Sequence, residues 1–250
     1  MAYKRGKNLI NFSLFFRIMA SIVFFCLWPI EYILVLVLYS VRYEGQKKLR
    51  RLKGGAVLVS NHTAYLDPIM VSGAALPRRI YQTLLEATVE TPFLGTFTRL
   101  LGGVPLPPGM RGLEKLLETA KTAFRYRHFL HFYPEGELSL HNQQIERFKF
   151  GAFYVAAKLN LPIIPIVTII SQGRLKRRPK RTLVVLDTFN PQDFIKFTEQ
   201  NNIDMHSVEE FAETVRRAMQ NEIDVRHARK PRDGTQAFYK GKAARIKGIN

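Results

Sequence analysis

The sequence predicts an α/β fold, a mixed sheet flanked by helices, with an apolar two-helix segment ahead of it. Three observations predict it. Beyond residue 53, short apolar runs alternate with amphipathic stretches, the pattern of a sheet covered by helices. The 250-residue length suits one α/β domain with a sizeable core and an appendage rather than two independent domains. The stretch from Leu9 to Val41 is apolar apart from Arg17, Glu31 and a few small polar residues. The chain therefore divides into a helical segment with a basic linker over 1–53, an α/β domain over 54–225, and a basic tail over 226–250.

The first segment reads as membrane-embedded. It lacks the short apolar region and small-residue cleavage site of a secretory signal. Ile18 to Val41 is long enough for a span of about 20 residues, but Pro29 and Glu31 divide it near the middle. Lys4, Arg5 and Lys7 precede it, and Arg42, Lys47, Lys48, Arg50, Arg51 and Lys53 follow it. Both flanks thus favour the cytoplasmic side. Two short helices that dip into one leaflet and return fit this better than a single span. Trp28, Tyr32, Tyr39 and Tyr43 suit an interface better than the alternative of a buried hairpin.

In the second segment the predicted strands are Ala56 to Ser60, Ile80 to Leu84, Val104 to Leu106, Phe129 to Tyr133, Ile163 to Ile169 and Thr182 to Leu186. Leu113, Leu116, Leu117, Ala120 and Phe124 recur at helical spacing and give a helix from about Arg111 to Tyr126 one core-facing side. A second helix follows Phe150, with Ala152, Val155, Ala156 and Leu159 inward, and a third runs from about Val208 to Ile223.

Thirty-eight Lys and Arg against 20 acidic residues leave a charge of +18, which suits a membrane surface, an acidic carrier protein or nucleic acid. No helix-turn-helix, zinc-finger or RNA-recognition signature accompanies it, so no nucleic-acid partner is expected. The dense run Arg174 to Arg181 and the tail read as solvated or phospholipid-facing. Cys26 is the single cysteine, so there is no intrachain disulfide and no CxxC pair. A reducing, cytosol-facing location follows.

The chemistry concentrates after two predicted strands. In Asn61-His62-Thr63-Ala64-Tyr65-Leu66-Asp67, His62 and Asp67 stand five apart, which no regular helix places on one face, so a turn must join them. Pro68 fits the first position of a helix and Asp67 the cap before it. Asp67 would then accept a hydrogen bond from one imidazole nitrogen and leave the other to take a proton from a hydroxyl. The bland alternative is a polar loop with a capping Asp. Tyr133-Pro134-Glu135-Gly136 follows a later strand in the same way, and both loops fall at carboxyl ends of strands, where ligand sites gather. His128, His131 and His141 surround this second motif, but the predicted strand holds His131 and edges His128, and no metal is expected.

This ordered set resembles the glycerolipid acyltransferase family over about Ala56 to Ile170. Asn61 to Asp67 is similar to its H-x4-D motif, Thr91 to Leu106 to its acceptor block, and Tyr133 to Ser139 to its F-P-E-G-T-R-S. Phe148 to Ala152 and Leu161 to Val167 are similar to the approach to its fourth block. The resemblance implies transfer of a fatty acyl chain from coenzyme A or acyl carrier protein to a lysophospholipid hydroxyl, at the cytoplasmic face of a membrane. It implies no cofactor and no covalent enzyme intermediate. His62 would be the general base and Asp67 its orienting partner. Glu135 and Gly136 would shape the acceptor pocket, with Glu135 alternatively holding a neighbouring loop or pairing with a cation.

Two departures bear on the acceptor. Where the family carries arginines, this chain has Pro107-Pro108 and Glu137-Leu138, and guanidinium is the usual bidentate phosphate ligand. Arg111, Arg147 and Lys149 are the candidate replacements. Lysophosphatidate is the default acceptor, with another lysolipid or lipid alcohol as the alternative. A non-catalytic basic membrane-binding protein and a hydrolase are the readings from other classes.

Overall fold

Ala56–Ser60 and Ile163–Ser171 are nearly unbroken aliphatic runs, and such runs make strands covered on both faces. Every residue of the first is buried, as is every residue of the second but its last. The structure, a computed structural model, describes residues 9–91, 93–125, 129–171, 179–228 and 245–246. In chain order the strands are β1 (Val41–Glu44), β2 (Ala56–Ser60), β3 (Ile80–Leu85), β4 (Gly103–Leu106), β5 (Phe129–Phe132), β6 (Leu138–Ser139), β7 (Ile163–Ser171), β8 (Lys180–Val185) and β9 (Arg245–Ile246). The helices are α1 (Leu14–Tyr39), α2 (Gln46–Arg51), α3 (Asp67–Ala75), α4 (Glu86–Glu90), α5 (Leu94–Leu100), α6 (Gly109–Arg125), α7 (Gly151–Leu159) and α8 (Met205–Ala228).

Seven strands form one mixed sheet in the order β1-β8-β7-β2-β5-β3-β4, and β6 pairs separately with β9. β2 runs parallel to its neighbours β5 and β7, and β3 runs parallel to β5 and β4. Only β8, antiparallel to β7, and β1, parallel to β8, reverse the direction. The register pairs Val59 with Phe132, so the loops that follow β2 and β5 leave the same edge side by side. That adjacency positions the candidate site.

Helices cover both faces. Leu113, Leu116, Leu117 and Ala120 of α6, Ala152, Val155 and Ala156 of α7, and Val208, Phe211, Val215 and Met219 of α8 are buried in one cluster against β2, β5 and β7, with Phe124 packed on its rim. On the other face Met70, Val71 and Ala74 of α3 join Val35 of α1 over Leu58, Ile164 and Leu183. The predicted inward faces of α6 and α7 are those that pack, and α8 contains the predicted helix from Val208 to Ile223. Residues 174–178 of the basic run, most of the tail and His128 lie outside the described residues.

The amino-terminal segment differs from the expected pair of short helices. It forms the single 26-residue helix α1, which continues through Pro29. An internal proline removes one hydrogen bond and crowds the preceding turn, at a cost of about 3 kcal/mol. Here both halves dock on the same domain and outweigh that cost. Arg79 donates to the Ala20 carbonyl and the Ser21 hydroxyl and lies over the Phe24 ring. Beyond the proline, Trp28 stacks on Tyr32 and Tyr32 on Tyr43 of β1. The opposite side of α1 exposes Phe15, Ile18, Ile22, Phe25, Ile33 and Val37 in a continuous apolar stripe. Among the described residues no helix is long and apolar enough to cross a membrane.

The strand β1 falls in what the sequence reads as a basic linker. Its four residues carry two charges and alternate buried and outward, too short a pattern to stand out. The close seat of α1 and β1 on α3 depends on Gly73, where a Cβ would overlap the Tyr43 hydroxyl and the Tyr32 ring. Gly73→Val is expected to cost about 1–3 kcal/mol of stability through overpacking, read as a lower midpoint in urea denaturation of the full-length protein. An unchanged midpoint would show that the two rings yield freely.

Candidate active site

The chain leaves β2 at Ser60, turns over six residues and enters α3 at Asp67. Asp67 is the first helical residue and Pro68 the second, one place later than the cap the sequence suggests. Its carboxylate does not cap forward. It turns back on the loop, where Oδ2 accepts from Thr63 N–H at 2.5 Å, Ala64 N–H at 2.8 Å and the imidazole of His62 at 3.0 Å. Asp67 is fully buried, whereas the His62 side chain keeps 19% of its exposure. With Nδ1–H on Asp67, the His62 Nε2 is the unprotonated nitrogen, free to accept a proton.

The second loop locks the first. Glu135 is buried, and its two oxygens accept from His62 N–H and Glu146 N–H, each at 3.1 Å. The His62 carbonyl accepts from Ser139 N–H at 3.1 Å and the Thr63 carbonyl from His141 N–H at 3.0 Å. Asn61 completes the frame from the β7 side. Its amide accepts from Thr168 N–H at 2.8 Å and donates to the Thr168 carbonyl at 3.1 Å. Gln143 bonds the same carbonyl and Ile170 N–H. Sequence reasoning passed over Asn61 and Gln143, whose role is to meet backbone groups of a distant strand. Their one visible sign is an amide beside each motif.

Gly136 takes φ +76°, the left-handed region that favours glycine, and its N–H closes a turn on the Tyr133 carbonyl at 3.0 Å. The Lys149 ammonium lies against this glycine, where any Cβ would displace it. Of the three candidate cations, Lys149 is thus the one seated on the motif. Arg147 is exposed and faces Glu209 of α8 at 3.7 Å. Arg111 lines a surface groove beside α6 with Glu114, Lys115, Glu118 and Lys158. His131 is buried between Ser60 and Gln82, His141 meets Arg181, and no cluster of three metal-ligating side chains occurs among the described residues.

Burial pushes the Glu135 carboxyl up to about 7, against the two backbone N–H groups that favour its charged form. The unfolded group releases its proton near 4.5. The folded state therefore binds more protons between these values, and this group's contribution to stability falls as pH rises through that window. The loss amounts to about 3 kcal/mol, complete above about pH 7. Urea unfolding of the wild type and Glu135→Gln at pH 5 and pH 8 is expected to show a smaller pH difference in the variant. Equal differences would refute the assignment.

The Acyltransferase family model matches residues 40–169, more than half of the chain. The 1-acyl-sn-glycerol-3-phosphate acyltransferase of Saccharomyces cerevisiae is 28% identical over 191 residues, 72% of this chain and 58% of that protein. The human 1-acyl-sn-glycerol-3-phosphate acyltransferase beta is 33% identical over 136 residues, 52% of this chain and 47% of its own. The chain thus spans about half the length of the curated relatives it matches. In fold it is similar to the crystal structure of the 1-acyl-sn-glycerophosphate (LPA) acyltransferase PlsC from Thermotoga maritima. The TM-score is 0.53 at 18% identity, over 84% of this chain and 78% of that one. The chain belongs to the acyltransferase family, among the glycerolipid acyltransferases.

Proposed function

We propose that the protein is a membrane-bound O-acyltransferase. It moves a fatty acyl chain from acyl-coenzyme A or acyl carrier protein to the free hydroxyl of lysophosphatidate, giving phosphatidate. The observation that carries this reading is the His62 imidazole held by Nδ1 on the buried Asp67 carboxylate, with Nε2 left as a base. The names of the relatives support the acceptor.

In the reaction, His62 Nε2 takes the proton of the acceptor hydroxyl as its oxygen attacks the thioester carbonyl. A C–O bond forms, the C–S bond breaks, and the imidazolium returns its proton to the departing thiolate. Asp67 fixes the tautomer and offsets the transient positive charge on the ring. Glu135 acts through the backbone of His62 rather than on the lipid, which favours its loop-holding role over the acceptor-pocket role. Lys149, against Gly136, supplies the cation for the acceptor phosphate in place of the arginines absent at Pro107-Pro108 and Glu137-Leu138. The apolar stripe of α1 supports a membrane location, as an in-plane surface helix in place of a re-entrant pair.

Thiol release by the detergent-solubilised protein tests the reaction, with each donor and with lysophosphatidate, lysophosphatidylcholine or no acceptor. Release is expected only with an acceptor, and His62→Ala should lower it about 10²–10⁴-fold. Full-rate release without acceptor would make the protein a hydrolase, and release undiminished in His62→Ala would remove His62 as the base. Lys149→Ala is expected to raise KM for lysophosphatidate about ten- to a hundredfold, as loss of a charged hydrogen bond does. The KM for lysophosphatidylcholine should stay within about twofold. An unchanged KM for lysophosphatidate would point to another phosphate ligand, and equal rises for both lipids would show that Lys149 does not distinguish the phosphomonoester.

A further inference from the structure

A single hydrogen bond to Asp67 does not aim the His62 ring. It fixes where Nδ1 lies but leaves the imidazole free to rock about the line from Nδ1 to the carboxylate, and rocking carries Nε2 away from an acceptor. The restraint missing from the pair is supplied from below. The ring of His62 lies flat on that of Tyr133, with centroids 3.9 Å apart and planes 18° from parallel.

Tyr133 is itself held. Its ring meets that of His131 nearly at right angles, 87° and 4.5 Å between centroids. His131 is fully buried and clamped at both nitrogens, with the Gln82 amide oxygen 2.5 Å from Nδ1 and the Ser60 hydroxyl 2.8 Å from Nε2. Burial, and then the neighbouring imidazole of His62, bring the His131 pKa down to about 3, so the ring is neutral and keeps one donor and one acceptor for those partners. The backbone carbonyl of His131 accepts from the Thr83 hydroxyl at 3.0 Å. A rigid column thus runs from β3 through His131 and Tyr133 to the one side chain that must be aimed.

The hydroxyl of Tyr133 has no part in this. It is buried and makes no hydrogen bond among the described residues, so the ring face is what the site uses. An aromatic face under an imidazole restricts its tilt and favours the imidazolium that forms during turnover, because the ring face carries negative potential.

We infer that Tyr133 is a positioning residue for the reaction, the floor on which His62 is aimed at the acceptor hydroxyl. The inference rests on the reading of His62 as the base. If instead Tyr133 merely filled space, a side chain of similar bulk without an aromatic face would serve as well.

The test compares full-length wild type, Tyr133→Phe, Tyr133→Leu and His62→Ala in the acceptor-dependent thiol-release assay. Tyr133→Leu is expected to lower kcat about ten- to a hundredfold, the scale of a misplaced catalytic group, with both KM values within about twofold. Tyr133→Phe is expected to keep kcat within about twofold. In wild type and Tyr133→Phe labelled at histidine, the His62 ring protons should resonate upfield of a free imidazole, as protons over an aromatic face do. That displacement should vanish in Tyr133→Leu. Because the spectrum of the wild type alone reports the stack, the inference stays testable even if Tyr133→Leu folds poorly. His62 ring protons at ordinary positions in the wild type would overturn it. So would a Tyr133→Leu enzyme with unchanged kcat, or a Tyr133→Phe enzyme as impaired as Tyr133→Leu. Loss of activity in His62→Ala beside a fully active Tyr133→Leu would reject the floor while leaving the base in place. An active His62→Ala would reject the base reading itself.

Discussion

Asp67 brings a carboxylate into the interior at the mouth of α3, and a buried acceptor of that strength must be met by donors. Three are gathered on one oxygen: two backbone N–H groups of the preceding loop and the imidazole of His62. Meeting them curls the chain between β2 and α3 into one conformation, and that conformation carries His62. Remove the carboxylate and the loop loses its reason to turn. The rest of the site reads as support for this turn, through Glu135 on the His62 backbone, Ser139 and His141 on the loop carbonyls, and Asn61 on β7.

Most of these supports are backbone bonds, which explains how a site built on loops is held so firmly. Three strand ends converge there, β2, β5 and β7: the loop after β2 lends Asn61 to the main chain of β7, and the loop after β5 lends Glu135 to that of His62. Such bonds set the position of the chain before substrate arrives, so little ordering remains to be done on binding. Glu135 shows the tension in this arrangement. It is drawn on for two hydrogen bonds yet is desolvated enough to favour its proton, so it holds the loop at some expense in charge burial.

The sequence was informative where local signals carry the answer. The aliphatic runs of β2 and β7, the amphipathic faces of α6 and α7, and the two strand-end motifs follow from composition and spacing. They reappear in the structure within a few residues of their predicted bounds. Long-range packing was not visible. Pro29 signals a break, and only the docking of both halves of α1 on one surface explains why the helix runs through it. β1 has no pattern of its own and becomes a strand because β8 offers it a partner. In the site, the joining of His62 to Asp67 was legible from their spacing. The engagement of Glu135 with two N–H groups, of Asn61 with Thr168 and of Tyr133 with His62 was not, since each partner lies on another loop or strand.

The placement of β1 makes the apolar amino-terminal helix something other than a detachable anchor. The chain passes from α1 straight into the outer strand of the sheet, where Val41–Glu44 covers the hydrogen-bonding edge of β8 and Glu44 reaches Arg226 at 2.7 Å. A fragment cut after the helix and its linker would lose that cover. It would leave β8 as a bare hydrophobic edge open to pairing with another chain. Solubility in this protein is better sought by recolouring the outward face of α1 with polar side chains than by shortening the chain.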